Sequence, residues 1–398
     1  MPPPAHGPRI AIVGGGIGGL AVGAFLRRAG LTATVHEQAA ALTEVGAGII
    51  MAPNAVRLLR RLGLMDRFLR RAVALEWGWE FRRWADGRVL SVERLSGVCE
   101  KLYGERTYVT HRADLLDTLR SAVPGAWVRL GARCTGVEAR PDGALLRFGD
   151  GGAVEADVVI GADGVHSVVR NTVAEPAPPT YSGLCAFRAV VPARAAPEFA
   201  LRPAQTLWLG PGRHFVHYPI AGGSAVNVVG IAPAGDYTVE SWNATATSEE
   251  FGAEFAGWDP RVRDLIAAGG TPGRWALLDR APLRHWSRGR ITLLGDAAHP
   301  MFPFFAQGAA QSIEDAAVLA RCLAASPDEP EPALKRYELA RIERTARLQH
   351  LSHARRDINH LPDGVDQQAR DAALAASDPL VGNGWIYGHD AEEALGGS

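Results

Sequence analysis

Residues 9–30, RIAIVGGGIGGLAVGAFLRRAG, begin as a short apolar run, break into glycine and resume as a helix-forming segment. Five of the six residues from Gly14 to Gly19 are glycine, more than a surface turn needs. The run Ile10–Val13 has the β-branched character of a buried parallel strand. Residues 20–29 read as a helix stopped by Gly30, and residues 31–36 as a second strand, so the stretch forms a βαβ unit. Gly14, Gly16 and Gly19 fit G-x-G-x-x-G. Gly14 makes the tight turn, Gly16 lets backbone approach a pyrophosphate, and Gly19 lets helix pack on strand. Glu37, closing the second strand, stands where an acid takes the hydroxyls of a ribose. The helix start offers free N–H groups and a positive dipole end to phosphates. The motif implies a dinucleotide and leaves FAD and NAD as alternatives.

Outward from this unit, 398 residues are too many for one small core and imply two domains. An apolar content of 47% and a charged content of 21% suit a soluble globular chain. A net charge of -1 offers no attraction to nucleic acid or to an anionic membrane. No apolar run reaches the ~18 residues of a membrane span, and the opening MPPPAHGPR lacks a signal-peptide core. Cys99, Cys134, Cys185 and Cys322 show no CxxC or zinc spacing, so reduced thiols in a cytoplasmic protein without metal are expected. Helices are expected over 52–69, 112–123, 308–323 and 332–351, the last with a solvated charged face. A hairpin is expected over 76–92, and a strand meander ends in the buried strand 157–160. From 180 to 274, short strands between Gly and Pro turns imply a separate, mostly antiparallel sheet. The expected fold class is α/β. A Rossmann-like dinucleotide-binding domain (1–75, 100–180 and 275–398, with a C-terminal helical tail) carries an inserted substrate-binding sheet domain (76–99 and 181–274).

Two later stretches sharpen the cofactor. DVVIGADGVHSVVR (157–170) holds Asp163, and RITLLGDAAHPMFPFFAQGAAQSIEDA (290–316) holds Asp296, Pro303 and Gly308. With these, in order, the chain resembles the single-component flavoprotein aromatic hydroxylases of the p-hydroxybenzoate hydroxylase fold, over residues 9–351. EVGAGIIMAPNA (44–55), GLCAFRAVVP (183–192) and AQGAAQSIEDA (306–316) are most similar to the salicylate, 6-hydroxynicotinate and 3-hydroxybenzoate hydroxylase branch. The resemblance implies non-covalent FAD, with NADH or NADPH as reductant and O2 as oxidant. It implies Asp296 on the ribitol or ribose side, and Gly308 and Ala309 facing the flavin N1–C2=O edge. It also implies Pro303 beside the flavin, Arg112 and Gly48 in contact with FAD, and Asp163 serving both FAD and nicotinamide. The sequence departs from the family at Thr43, where arginine is common, and at Ala306 and Ala310, as in the salicylate branch.

The family's reduced flavin turns O2 into an electrophilic oxygen donor, which needs an electron-rich ring; a phenol gains that by losing its proton to a base. GRHFVHYPI (212–220) supplies candidates. On a strand, His214, Val216 and Tyr218 share one face, with His217 on the other as the alternative base. His214 and Tyr218 have the spacing of the substrate-contacting pair in the nicotinate-type enzymes. Arg188 is expected to meet a carboxylate or the flavin, and Phe302, Phe304, Phe305 and Gln307 to wall the ring. His299 is expected to be structural or flavin-adjacent, and WIYGHD (385–390) a tail packed on the fold. The expected activity is hydroxylation of a small phenolic or hydroxy-heteroaromatic acid, with loss of the carboxylate left open, by a monomer or homodimer. An FAD oxidoreductase without oxygen insertion and a catalytically silent FAD-binding protein are the alternatives.

Overall fold

The computed structural model describes residues 7–42, 48–235 and 244–395. A six-stranded sheet runs in the order Ser287–Arg288, Ile291–Leu293, Val158–Gly161, Ile10–Val13, Ala33–His36, Val128–Arg129. Every pairing in it is parallel except the first. Its central strands are buried on both faces, which is why Ile10–Val13 and Val158–Gly161 carry no alternating pattern. The helix after the glycines is Ile17–Arg28, so Gly18 and Gly19 are helical. A Cβ on Gly19 would collide with the Gly14 carbonyl, and one on Gly18 would sit 2.6 Å from the Leu294 side chain. These glycines permit close packing inside the helix, which is why it starts earlier than expected. The expected helix over 52–69 is two, Pro53–Arg61 and Met65–Leu69, parted near Gly63 at φ +71°.

A seven-stranded sheet runs Gly273–Asp279, Thr180–Pro192, Ala225–Pro233, Arg213–Ile220, Ala204–Gly210, Gly78–Arg83, Val89–Glu93. It is antiparallel except where Ala204–Gly210 meets the hairpin. The expected boundary at 274/275 falls inside a strand, because Gly273–Asp279 pairs along Thr180–Pro192. The outer face is covered by helices Ser248–Glu254 and Pro260–Ala267, with Phe187, Phe215, Phe251, Phe255 and Trp258 packed between. The inner face turns Val216, Tyr218 and Ile231 toward residues 301–306 of the dinucleotide-type domain.

The helix expected over 332–351 extends over Pro330–Asn359, with Pro330 at its first turn, where a missing N–H costs nothing. The helix Val365–Ala376 lies against the hairpin, with Leu374 packed on Leu90 and Leu209. The C-terminal tail therefore spans both units instead of belonging to one. Among the described residues, no helix is long and apolar enough to cross a membrane.

Candidate active site

On the cofactor side, Gly14 adopts φ +102° against the Ala162 carbonyl, which leaves no room for a side chain. Gly16 is the opposite case: a Cβ there would meet nothing within 4 Å. The protein's own packing does not require glycine at 16, so the requirement comes from what occupies that space. The helix starting there has no side-chain cap and no acid in its first turn, which leaves N–H groups and a positive dipole end for an anion. Glu37 is fixed by the Gly15 N–H at 2.6 Å and the Ala39 N–H at 2.8 Å, with lone pairs to spare for ribose hydroxyls. A pyrophosphate and a ribose fit this cradle.

The third motif completes it. Gly295, at φ +62°, presses against Ser312 and delivers Asp296, whose Oδ1 lies 3.9 Å from where a Cβ on Gly308 would stand. Asp296 opens onto solvent, yet enough protein surrounds it that desolvation pushes its carboxyl above the usual range, against the pull of His299 and Arg112. It therefore lines a recess. The helix Gly308–Ala325 also starts without a side-chain cap or an acid, so the N–H groups of Gly308 and Ala309 are available at the same recess. Pro303 is exposed and opens the turn Pro303–Phe305, after which Ala306, at φ +51°, redirects the chain into that helix. Arg170 clamps the second motif to the third through the carbonyls of Ala297 (3.0 Å) and Ala298 (3.2 Å). Arg112 heads the helix Arg112–Arg120, and its charge acts on both Asp296 and Arg188.

Two expected cofactor residues have partners within the protein. Asp163 accepts from Ser167 Oγ at 2.5 Å and from the Val168 N–H at 2.7 Å, so its carboxylate shapes its own loop. Gly48 donates to Asn227 Oδ1 at 2.7 Å, and a Cβ there would run into the Tyr218 ring. It is a close contact to the large sheet, because the strand Gly48–Met51 crosses directly over Tyr218. Thr43 lies outside the described residues.

On the substrate side, alternation along Arg213–Ile220 puts His214 and Tyr218 on the inner face. The His214 ring meets the edge of Phe304 at 5.3 Å between centroids, and its Nδ1 lies 2.7 Å from Nε2 of His360. Burial, with His360 adding to it, holds His214 well below the ordinary histidine range, so it rests neutral, with a lone pair on one ring nitrogen. His217 points the other way, among Phe199, Trp208 and Phe215, and burial with Arg82 and Arg202 lowers it to about 3. Its place under the outer helices removes it as the alternative base. Arg188 stacks over Trp275 at 4.3 Å, and its Nε is buried without a partner among the described residues. Burial pulls it down to about 10, with the neutral Tyr218 phenol and the Arg112 charge beside it. Phe302 packs with Leu184, Ile231 and Leu277, and Phe305 with the Val216–Tyr218 cluster, so these rings do wall the inner face. Gln307 does not: its Oε1 faces inward and accepts from Asn54 (3.0 Å) and Gln311 (3.1 Å).

That inward turn belongs to a buried ionic network the sequence reading missed. Arg341, fully buried, donates to Asp315 at 2.7 Å, Glu314 at 2.6 Å and Gln311 at 2.6 Å. Arg344 also holds Glu314, and His299 bonds Asp315 at 2.6 Å, which makes His299 structural. The helix read as a solvated face therefore sends arginines into the core, where they neutralise two acids of an otherwise apolar helix. The pair Glu314-Asp315 amid alanines was the available signal, since buried acids need partners. The 385–390 stretch does pack on the fold, its Trp385 and Ile386 carbonyls accepting from Arg344.

Residues 8–352 match the family described as FAD binding domain. The chain is 45% identical over 386 residues to a 3-amino-4-hydroxybenzoate 2-monooxygenase of Streptomyces platensis, covering 97% of each chain. It is 38% identical to a 6-hydroxynicotinate 3-monooxygenase of Pseudomonas fluorescens, covering 88% of this chain and 91% of that one. A salicylate hydroxylase solved with its substrate superposes with a TM-score of 0.82 at 26% identity, over 98% of this chain and 97% of that one. Open space at Gly16, uncapped helix starts at both glycine motifs and a neutral histidine on the facing sheet agree with these likenesses, and the chain belongs to the FAD binding domain family as an FAD-dependent aromatic monooxygenase.

Proposed function

We propose that the chain hydroxylates an amino-hydroxybenzoate, of the type of 3-amino-4-hydroxybenzoate, with NADH or NADPH as reductant and O2 as oxidant. The observation that carries this reading is the inner face itself, where neutral His214, Tyr218 and Arg188 look toward the turn Pro303–Phe305 and the start of the helix Gly308–Ala325. The bound flavin, once reduced, supplies an electrophilic oxygen atom from O2. Glu37, Asp296 and the two helix starts would hold the cofactor, with Arg112 and Pro303 beside them, and the Gly308 and Ala309 N–H groups would stabilise negative charge on it. His214 takes the phenol proton and Tyr218 aligns the hydroxyl. Arg188, its Nε without a protein partner among the described residues, receives the carboxylate. Phe304 closes the apolar wall. Of the named relatives, the one at 45% identity acts on an amino-hydroxybenzoate, which favours that acid over a nicotinate. Four buried cysteines without a disulfide support a reducing, cytoplasmic setting.

A panel of amino- and hydroxybenzoates, salicylate and hydroxynicotinates tests the reading, scored by substrate-stimulated NADH and NADPH oxidation and by product mass. The expected result is the highest kcat/KM with 3-amino-4-hydroxybenzoate and a product heavier by one oxygen atom. Stimulation only by a nicotinate or by salicylate would overturn it.

A further inference from the structure

His214 has a problem that its position creates. It is only 4% exposed, so a proton taken from a phenol has no direct way to water. Its Nδ1 is committed to Nε2 of His360 at 2.7 Å, with the rings 5.0 Å apart and tilted by 31°. His360 is half-buried, at the C-terminal end of the helix Pro330–Asn359. It is held from two sides. Its N–H lies on the helix carbonyls of Arg356 and Asp357, and its own carbonyl accepts from Gly212 at 2.9 Å, two residues before His214. Phe304 stands edge-on to both rings.

We propose that His360 is a positioning and relay residue that fixes the His214 tautomer and carries the substrate proton outward. The proposal rests on the reading of His214 as base. Two neutral imidazoles in one hydrogen bond must be one donor and one acceptor. With Nδ1–H of His214 donating, its Nε2 keeps the lone pair that a base needs. The phenol proton goes to Nε2 of His214, the Nδ1 proton of His214 passes to Nε2 of His360, and the Nδ1 proton of His360 leaves to water. The result is a phenolate, a hydrated proton and both imidazoles in the opposite tautomer. Reprotonation of the product runs the same path backward and restores the starting tautomers. The charged neighbours are Arg356 and Asp357 on the helix and Arg213 on the strand, the last paired with Glu254 at 2.9 Å. The arginines disfavour a proton that stays on the pair, so it passes through.

The test uses FAD-loaded enzyme and 4-hydroxy-3-nitrobenzoate, an analogue whose phenolate absorbs visible light. Stopped-flow mixing follows phenolate formation, and a pH dye follows proton release. In His360→Gln, whose amide can still hold the His214 N–H but cannot relay, both signals should slow by roughly a hundredfold or more, within the usual range for lost proton transfer. FAD content and analogue affinity should stay within about twofold by the same reasoning. Added imidazole should restore the rate in His360→Ala. Wild-type rates in both variants would overturn the relay, and so would loss of FAD from His360→Gln, which would make His360 a structural prop. Slowing in His214→Ala with a normal His360→Gln would sink the relay alone. Wild-type phenolate formation in His214→Ala would sink the base reading and the relay with it.

Discussion

Arg341→Met removes one cation from the interior and leaves two acids to be held by fewer partners. Glu314 keeps Arg344 and Asn54. Among the described residues Asp315 keeps His299 and the Gly295 N–H, at 2.6 and 3.1 Å, so it becomes the uncompensated charge. Breaking a buried pair on one side costs about 3–5 kcal/mol. With an unfolding entropy near 2.1 cal/mol/K per residue, that corresponds to a fall of roughly 4–6 °C in Tm for 398 residues. Chemical and thermal unfolding in saturating FAD measures it. The pH dependence is the sharper signature. In the wild type, burial works to raise the Asp315 carboxyl, and His299 and Arg341 outweigh it, leaving it below the usual range. Its stabilisation is full above the unfolded value of about 4 and is lost as pH falls through the lower folded value. Without Arg341, burial wins and the folded value rises above the unfolded one. The penalty then grows as pH climbs above about 4 and shrinks on acidification, so the gap between variant and wild type should be larger at pH 8 than at pH 5. A penalty below about 1 kcal/mol, or one flat across that range, would refute the claim that Arg341 neutralises a buried acid.

Gly16→Val should yield folded protein without flavin, because its side chain meets open space in the protein and fills the cradle; stoichiometric FAD in the purified variant would contradict this. His214→Ala should lose about 10²–10⁴-fold in hydroxylation rate with FAD content unchanged, release hydrogen peroxide, and recover partly at high pH, where the phenol ionises unaided. Because His214 is held well below the ordinary range, the wild-type kcat profile should show no histidine titration near pH 6.5; a clear inflection there would count against a neutral base. Acid precipitation should release all of the flavin into the supernatant, and colour in the pellet would mean a covalent link.

Local patterns revealed what is local. The glycine run, the acid at Glu37, the hairpin within 76–92 and the alternation of His214 with Tyr218 depend on neighbours within a few residues, and each was readable as text. Partnerships across the chain were not. His214 and His360 are 146 positions apart, and Asp315 and Arg341 belong to two helices whose facing sides only packing defines. A helix rich in both charges reads as solvated, since spacing alone does not reveal that Arg341 and Arg344 face acids within a core. The surroundings of Gln307 and Gly48 were hidden for the same reason: each lies in a motif stretch, but its neighbours, Asn54 and Tyr218, come from distant parts of the chain.

The clamp of Arg170 on the Ala297 and Ala298 carbonyls, and the seating of the helix Gly308–Ala325 on Ile17–Arg28, bear on biosynthesis. The flavin cradle is assembled from the first twenty residues and from residues near 300, and strand Ile10–Val13 takes a neighbour from Val158–Gly161. At translation speeds of about 5–20 residues per second, the glycine loop emerges roughly 15–60 seconds before its opposing wall exists. During that interval a nascent chain has no closed site in which to keep FAD. Flavin capture thus waits for the segment near residue 300, and low cellular FAD should show up as unstable newly made protein, while mature enzyme already holding its cofactor is spared.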